Sequence, residues 1–187
     1  TLFRSDMNDE GPNGNEEQDE AEETSVMEGN SEKAGSGQSV HVNLINTEGE
    51  EVGTALLSQV DKGVEVQIEA WDLPPGVHGY HIHENGICEP PTFESAGGHF
   101  NPTDAKHGFD HPEGPHAGDL PNIEVNEDGK VQYSYLNEMV TLKSGEENSL
   151  LDDGGTSLMI HSKADDYVSQ PAGDAGERIA CGVISEE

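Results

Sequence analysis

Val64-Glu65-Val66-Gln67-Ile68-Glu69-Ala70-Trp71 alternates apolar and polar side chains as far as Ala70. A period of two puts the apolar set on one face of an extended chain, the mark of a half-buried β-strand. The pattern extends outward in both directions. Upstream, Val40-His41-Val42-Asn43-Leu44 alternates cleanly, and Thr54-Ala55-Leu56-Leu57-Ser58-Gln59-Val60 is a less regular run. Downstream, Pro74-Pro75-Gly76 predicts a turn and His78-Gly79-Tyr80-His81-Ile82-His83 another strand. Asn126-Glu127-Asp128-Gly129 predicts a turn before a strand over Val131-Gln132-Tyr133-Ser134-Tyr135-Leu136. Ser157-Leu158-Met159-Ile160-His161 and Ile179-Ala180-Cys181-Gly182-Val183-Ile184 complete the set, and no long amphipathic helix is legible. Short strands with turn signals between them define an all-β fold, an antiparallel sandwich or barrel.

Composition narrows the function. Eight Lys and Arg against 39 Asp and Glu give a formal charge of −31. Nucleic-acid binding needs a basic face, and adsorption to anionic lipid needs basic clusters; this chain has neither. No run of apolar residues approaches the ~18 needed to span a bilayer. Residues 1–38 hold eleven acids and two bases, with almost no large apolar side chain after Phe3. Such a segment cannot offset its ordering entropy, so it is expected to be a disordered acidic tail or linker ahead of a domain over residues 39–187. The opening Thr1-Leu2-Phe3-Arg4-Ser5 is unlike the rest of that tail and is set aside. A chain that opens on Thr1 is expected to be a fragment or to have lost a signal segment. The tail carries a net charge of −9, which leaves −22 on the domain. An acid-rich, Lys-poor surface suits high salt, where charges are screened within about 3 Å at 1 M, and a saline source is expected.

The segment between Asn85 and Asn122 reads as one long loop rich in Gly, Pro and His. A structureless loop of that length needs a function or a staple. Six of the nine histidines lie between residues 81 and 116. On a strand, His81 and His83 project from one face and make half of a copper or zinc site. His99, His107, His116 and Asp119 offer three imidazoles and a carboxylate, a good ligand set for tetrahedral zinc. His161 ends a strand remote in sequence and could complete a site with His81 and His83. His78 has the opposite parity and reads as a hydrogen-bonded packing residue. His41 reads as a surface residue and His111 as a minor alternative to the zinc ligands. Glu84 and Asn85 read as hydrogen-bonding loop residues. Cys88 and Cys181, taken alone, are either buried thiols or a long-range disulfide.

Taken together, these stretches resemble the copper/zinc superoxide dismutase family. The resemblance rests on His81-Ile82-His83-Glu84-Asn85-Gly86, Cys88 and Gly97-Gly98-His99-Phe100-Asn101-Pro102. It continues through His107-Gly108, His116-Ala117-Gly118-Asp119-Leu120-Pro121 and Met159-Ile160-His161, and closes on Gly176-Glu177-Arg178-Ile179-Ala180-Cys181-Gly182-Val183-Ile184. It implies an eight-stranded antiparallel Greek-key β-barrel with long metal-binding loops, an architecture related to the immunoglobulin-like sandwich. It implies copper on His81, His83, His99 and His161, with His99 bridging to zinc on His107, His116 and Asp119. Asp165 is implied to link ligands of the two metals, Cys88 to pair with Cys181, and Arg178 to draw anions to copper.

The implied reaction is dismutation of superoxide to oxygen and hydrogen peroxide by a redox-cycling copper beside a structural zinc, with His99 also carrying a proton. A copper-buffering module of the same fold is the alternative. The implied setting is extracytoplasmic (secreted, periplasmic or a cell-surface lipoprotein), as monomer or homodimer, with superoxide as the partner. An anionic substrate and an acidic protein are in tension, so the local field of Arg178, with Lys163 and Lys106 as helpers, must decide encounter.

Overall fold

The alternating run around Val66 forms β3 (Gly63–Ala70) in the computed structural model, which describes residues 37–186. The expected tail over 1–38 lies, except for its last two residues, outside the described residues. Val64, Val66, Ile68 and Ala70 point inward and are buried, while Gln67 and Glu69 face out. β1 (Ser39–Asn46) and β2 (Glu51–Val60) stand beside it, and β1 repeats the same in–out alternation. β2 pairs with β3 from Gly53↔Ala70 to Val60↔Gly63, a two-residue hairpin at Asp61-Lys62. Each fully buried Val, Leu or Ile contributes on the order of 1.5–3 kcal/mol, so this alternation is the main local determinant of the sheet.

The remaining strands are β4 (Gly76–His78), β5 (Tyr80–His83), β6 (Ile123–Val125), β7 (Val131–Asn137), β8 (Thr156–His161) and β9 (Arg178–Ile184). Seven of them form one antiparallel sheet in the order β5-β8-β9-β1-β2-β3-β7, and β4 pairs with β6. Two 3-10 turns are the only helical segments among the described residues. The all-β expectation therefore holds, and β4 and β5, counted as one interrupted strand, bring the total to eight passes.

The structure revises two local expectations. The predicted strand over His78–His83 breaks at Gly79. The Gly79 N–H donates to the Lys163 carbonyl at 2.7 Å, and its carbonyl accepts the His161 N–H at 2.8 Å. A Cβ on Gly79 would lie 2.8 Å from that of Ala175, so only glycine permits this close passage. Strand β6 lies between the predicted loop, which ends at Asn122, and the Asn126 turn, where three residues are too few for period two to register. Its Ile123 and Val125 are buried in the main core beside Leu120, Leu142 and Leu150.

The long loop is pinned to the outer edge of β5. The Ile82 N–H donates to Gly118 O at 2.8 Å, Phe100 N–H to Ile82 O at 2.8 Å, and Glu84 N–H to Gly98 O at 2.9 Å. These bonds set His99 opposite His83 and Asp119 opposite His81. A disulfide between Cys88 and Cys181, with Cα atoms 5.7 Å apart, ties the loop to β9.

Candidate metal centre

β5 is buried on both faces: Tyr80 and Ile82 fill the core, and His81 and His83 turn toward the loop. His161, at the end of β8, joins them from the neighbouring strand, and the edge pairing of the loop supplies His99. Single ligand atoms of His81, His83, His99 and His161 lie within 4.8 Å of one another. All four residues are buried.

Hydrogen bonding sorts the nitrogens of this group. His83 Nδ1 donates to Gly97 O at 2.9 Å, His161 Nδ1 to Gly176 O at 3.3 Å, and His81 Nε2 to Asp165 Oδ2 at 2.6 Å. A neutral imidazole with one nitrogen donating has a lone pair on the other. His83 Nε2 and His161 Nε2 face one another at 3.4 Å, lone pair toward lone pair. His81 Nδ1 and His99 Nε2 are buried with no hydrogen-bond partner at all. Buried polar atoms are ordinarily satisfied, so four converging acceptors are a fit for a cation held through imidazole nitrogen.

The second group gathers around Asp119. Its Oδ1 lies 2.8 Å from His99 Nδ1, 3.0 Å from His107 Nδ1 and 3.4 Å from His116 Nδ1. Its Oδ2 accepts the N–H groups of Gly108 and His116, both at 2.9 Å. Three imidazoles and one carboxylate match the donor chemistry of zinc. Ligand atoms of His81, His99, His107 and Asp119 lie within 4.8 Å of one another here. His81 enters this cluster because the Asp165 carboxylate bridges His81 Nε2 and His107 Nε2, at 2.6 and 2.9 Å. His116 stands beside the cluster, its Nδ1 3.3 Å from His99 Nδ1. His99 belongs to both groups and turns one nitrogen to each.

The protonation pattern follows burial and partners. Burial first, then neighbouring imidazoles, lowers His83 to about 2, and the same causes lower His161 to about 3. Burial lowers His99 to about 4 against the pull of Asp119, and it also lowers His81. For His107, burial is outweighed by hydrogen bonds to Asp119 and Asp165, which raise it to about 9. Burial would raise the carboxyls of Asp119 and Asp165, but their histidine partners hold both well below the usual range.

These shifts predict how the metal-free domain responds to pH. Below the ordinary histidine value of 6.5, the unfolded chain takes up protons that folded His83, His99 and His161 refuse, so stability falls with falling pH. The contribution of His107 is fully present below 6.5 and is lost as pH rises through about 9. Thermal unfolding of chelator-treated protein is expected to peak near pH 6.5. A midpoint that continues to climb from pH 6.5 to 9 contradicts the protonated His107.

Arg178, at the start of β9, donates through Nη1 to Phe93 O at 2.7 Å and through Nη2 to Gly97 O at 2.6 Å. Gly97 O is also the acceptor for His83, so the arginine and that imidazole share one carbonyl. The Arg178 charge depresses His83 and His161, which puts it on the His83–His161 side of the centre. Lys163 lies beside Gly176, whose carbonyl receives His161, and Lys106 is on the exposed loop before His107. His78 is buried and hydrogen-bonded through both ring nitrogens, to the carbonyls of His161 and Pro74 at 2.7 Å each. His41 is exposed on β1, and His111 Nδ1 accepts the Glu113 N–H at 3.1 Å, away from both groups. Glu84 Oε1 accepts the Gly98 N–H and Asn85 Nδ2 donates to Ser95 O, at 2.9 and 3.0 Å. The carbonyls of Gly97 and Gly176 orient two imidazoles, a role that only the fold discloses.

Two buried donor groups that meet at His81 and His99, on an antiparallel β-barrel, define a two-centre metalloprotein with ligands suited to copper and zinc. The family described as copper/zinc superoxide dismutase (SODC) matches residues 51–184, and the chain belongs to that family. It is 58% identical over 145 residues to superoxide dismutase (Cu-Zn) 2 of Aquifex aeolicus, covering 77% of this chain and 85% of that protein. Among solved structures, a double mutant of a SOD-like protein from Bacillus subtilis superimposes with a TM-score of 0.76 at 47% identity, covering 78% of this chain and 97% of that one. Cu/Zn superoxide dismutase from Brucella abortus gives 0.65 at 34% identity, covering 79% and 99%.

Proposed function

We propose that this chain disproportionates superoxide, taking two superoxide anions and two protons to one oxygen and one hydrogen peroxide. The observation that carries this reading is the pair of facing lone pairs on His83 and His161, beside the unpartnered nitrogens of His81 and His99. In this reading His81 Nδ1, His83 Nε2, His99 Nε2 and His161 Nε2 hold copper; His99, His107, His116 and Asp119 hold zinc. Copper, when bound, supplies a one-electron couple that zinc lacks.

The chain's own groups do the rest. Gly97 O and Gly176 O fix the tautomers of His83 and His161, so that Nε2 of each is free to bind. His99 Nε2, buried and without a partner, carries a lone pair that would take up a proton from solvent, and hand it on, whenever that nitrogen is not binding copper. The Asp165 carboxylate orients His81 and His107 together and raises their basicity. Arg178 uses two of its five N–H groups on carbonyls, which leaves donors and a positive charge for an incoming anion. That local field acts against a net charge of −31, and salt screens the wider repulsion.

Setting and assembly belong to the same proposal. The Cys88–Cys181 disulfide supports an oxidising, extracytoplasmic compartment. No helix among the described residues is long and apolar enough to cross a membrane. The chain acts as a monomer or homodimer, with residues 39–187 as the catalytic domain and the acidic residues 1–38 as a tail or linker.

The test is dismutation by protein reconstituted with copper and zinc, with metal content measured on the same sample. Fast activity is expected. Negligible activity with copper confirmed in the protein overturns the reading and leaves a copper-buffering module in its place.

A further inference from the structure

A closed ring of hydrogen bonds surrounds Asp165, outside both donor groups. Asn122 grips the Asp165 backbone twice: Nδ2 donates to the Asp165 carbonyl at 2.9 Å, and Oδ1 accepts the Asp165 N–H at 2.9 Å. The Tyr167 hydroxyl accepts the Asn122 N–H at 2.8 Å, and the Tyr167 N–H donates to Asp165 Oδ1 at 2.7 Å. The ring thus runs from Asp165 to Asn122 to Tyr167 and back. What it fixes is the direction of the one carboxylate that touches both His81 and His107.

Tyr167 occupies this place against its backbone preference. Its φ is +64°, in the left-handed region that bulky residues avoid. Such a conformation persists only where the surroundings over-determine it, and it concentrates at functional sites. Here the Tyr167 carbonyl accepts the Asp110 N–H at 3.1 Å, and its ring meets Phe109 edge-on at 5.5 Å between centroids. Gly108 crosses the same carbonyl so closely that a Cβ there would overlap it. The loop that carries His107, the segment that follows Asp119 and the Asp165 turn are therefore all joined at Tyr167.

We infer that Tyr167 is a positioning residue for the metal centre: its hydroxyl and N–H hold Asp165 so that His81 and His107 present their opposite nitrogens to metal. The inference rests on the proposed reading of those two histidines as ligands. Partners of metal ligands typically change metal affinity ten- to a hundredfold when lost, roughly speaking, and this one sits a step further out.

The test uses Tyr167→Phe, which keeps the ring, the Phe109 contact and the backbone N–H but removes the acceptor for Asn122. Zinc affinity of the full chain, read by chelator competition, is expected to fall about tenfold, at the lower end of that range. The absorption spectrum of the cobalt-substituted protein is expected to shift with it, and Tyr133→Phe is expected to change neither. In an Asp165→Ala background, Tyr167→Phe is expected to have no further effect, because it acts through Asp165. Unchanged zinc affinity in Tyr167→Phe, or an equal loss in both backgrounds, overturns the inference alone. Wild-type protein that takes up no zinc overturns the ligand reading and the inference with it.

Discussion

Replacing His161 with alanine is expected to cut the dismutation rate of the reconstituted protein by at least about a hundredfold. Loss of a residue that merely orients a metal ligand costs up to about that much, and His161 is proposed as a ligand itself. The substitution removes one of four converging nitrogens, with no other donor placed to replace it in the cluster of His81, His83 and His99. The backbone at this position is secured independently: the His161 N–H donates to Gly79 O at 2.8 Å and its carbonyl receives His78 at 2.7 Å. The variant is therefore expected to fold. The zinc group does not include His161, so zinc content should stay close to wild type while copper content falls. Full activity with copper retained would remove His161 from the reaction. Joint loss of copper, zinc and folded structure would instead make it a scaffold residue.

Joint replacement of Cys88 and Cys181 with serine is expected to destabilise the metal-free domain by about 4.7 kcal/mol. The bridge spans 93 residues of sequence, and in the chain-entropy model a loop of that length restricts the unfolded chain by approximately that amount. For a domain of this size each kcal/mol moves Tm by about 2–4 °C, so a fall of roughly 9–19 °C is expected in calorimetry. Metal-free protein is the right sample, since release of metal during unfolding breaks two-state behaviour. The consequence reaches the site as well. Cys88 anchors the loop that carries Gly97, whose carbonyl orients His83, and His99 follows two residues later. Without the bridge, that loop is held to β9 by the Arg178 bonds to Phe93 and Gly97, and its residual mobility should slow dismutation even with metals bound. A Tm within about 2 °C of wild type would show that the bridge contributes little restraint.

The class of fold was legible because it depends on a local property. Alternation at period two needs only neighbouring side chains and a water-excluding face, so β1, β3 and β7 declare themselves in Val40–Leu44, Val64–Ala70 and Val131–Leu136. The pairing of His81 and His83 on one face has the same origin. Residue chemistry made His99, His107, His116, Asp119 and His161 stand out as donors, and the motifs around them carried the family resemblance.

What the local pattern did not contain is equally specific. The break at Gly79 depends on Lys163 and His161, which approach it from the far end of another strand. Strand β6 owes its existence to pairing with β4 rather than to its own three residues. Taken alone, Cys88 and Cys181 permitted either two thiols or one bridge, and only their 5.7 Å Cα separation decides between these. The choice of nitrogen on each imidazole is set by the carbonyls of Gly97 and Gly176 and by Asp165, partners 14, 15 and 84 residues away from His83, His161 and His81. Tyr167 gave no signal at all, because a lone tyrosine in an acidic loop acquires meaning only through Asn122, 45 residues earlier. Local periodicity thus determined most of the strands, and residue chemistry the donors. The tertiary structure decided tautomers, bridging and orientation, because hydrogen bonds between distant segments form only once the barrel has brought its edges together.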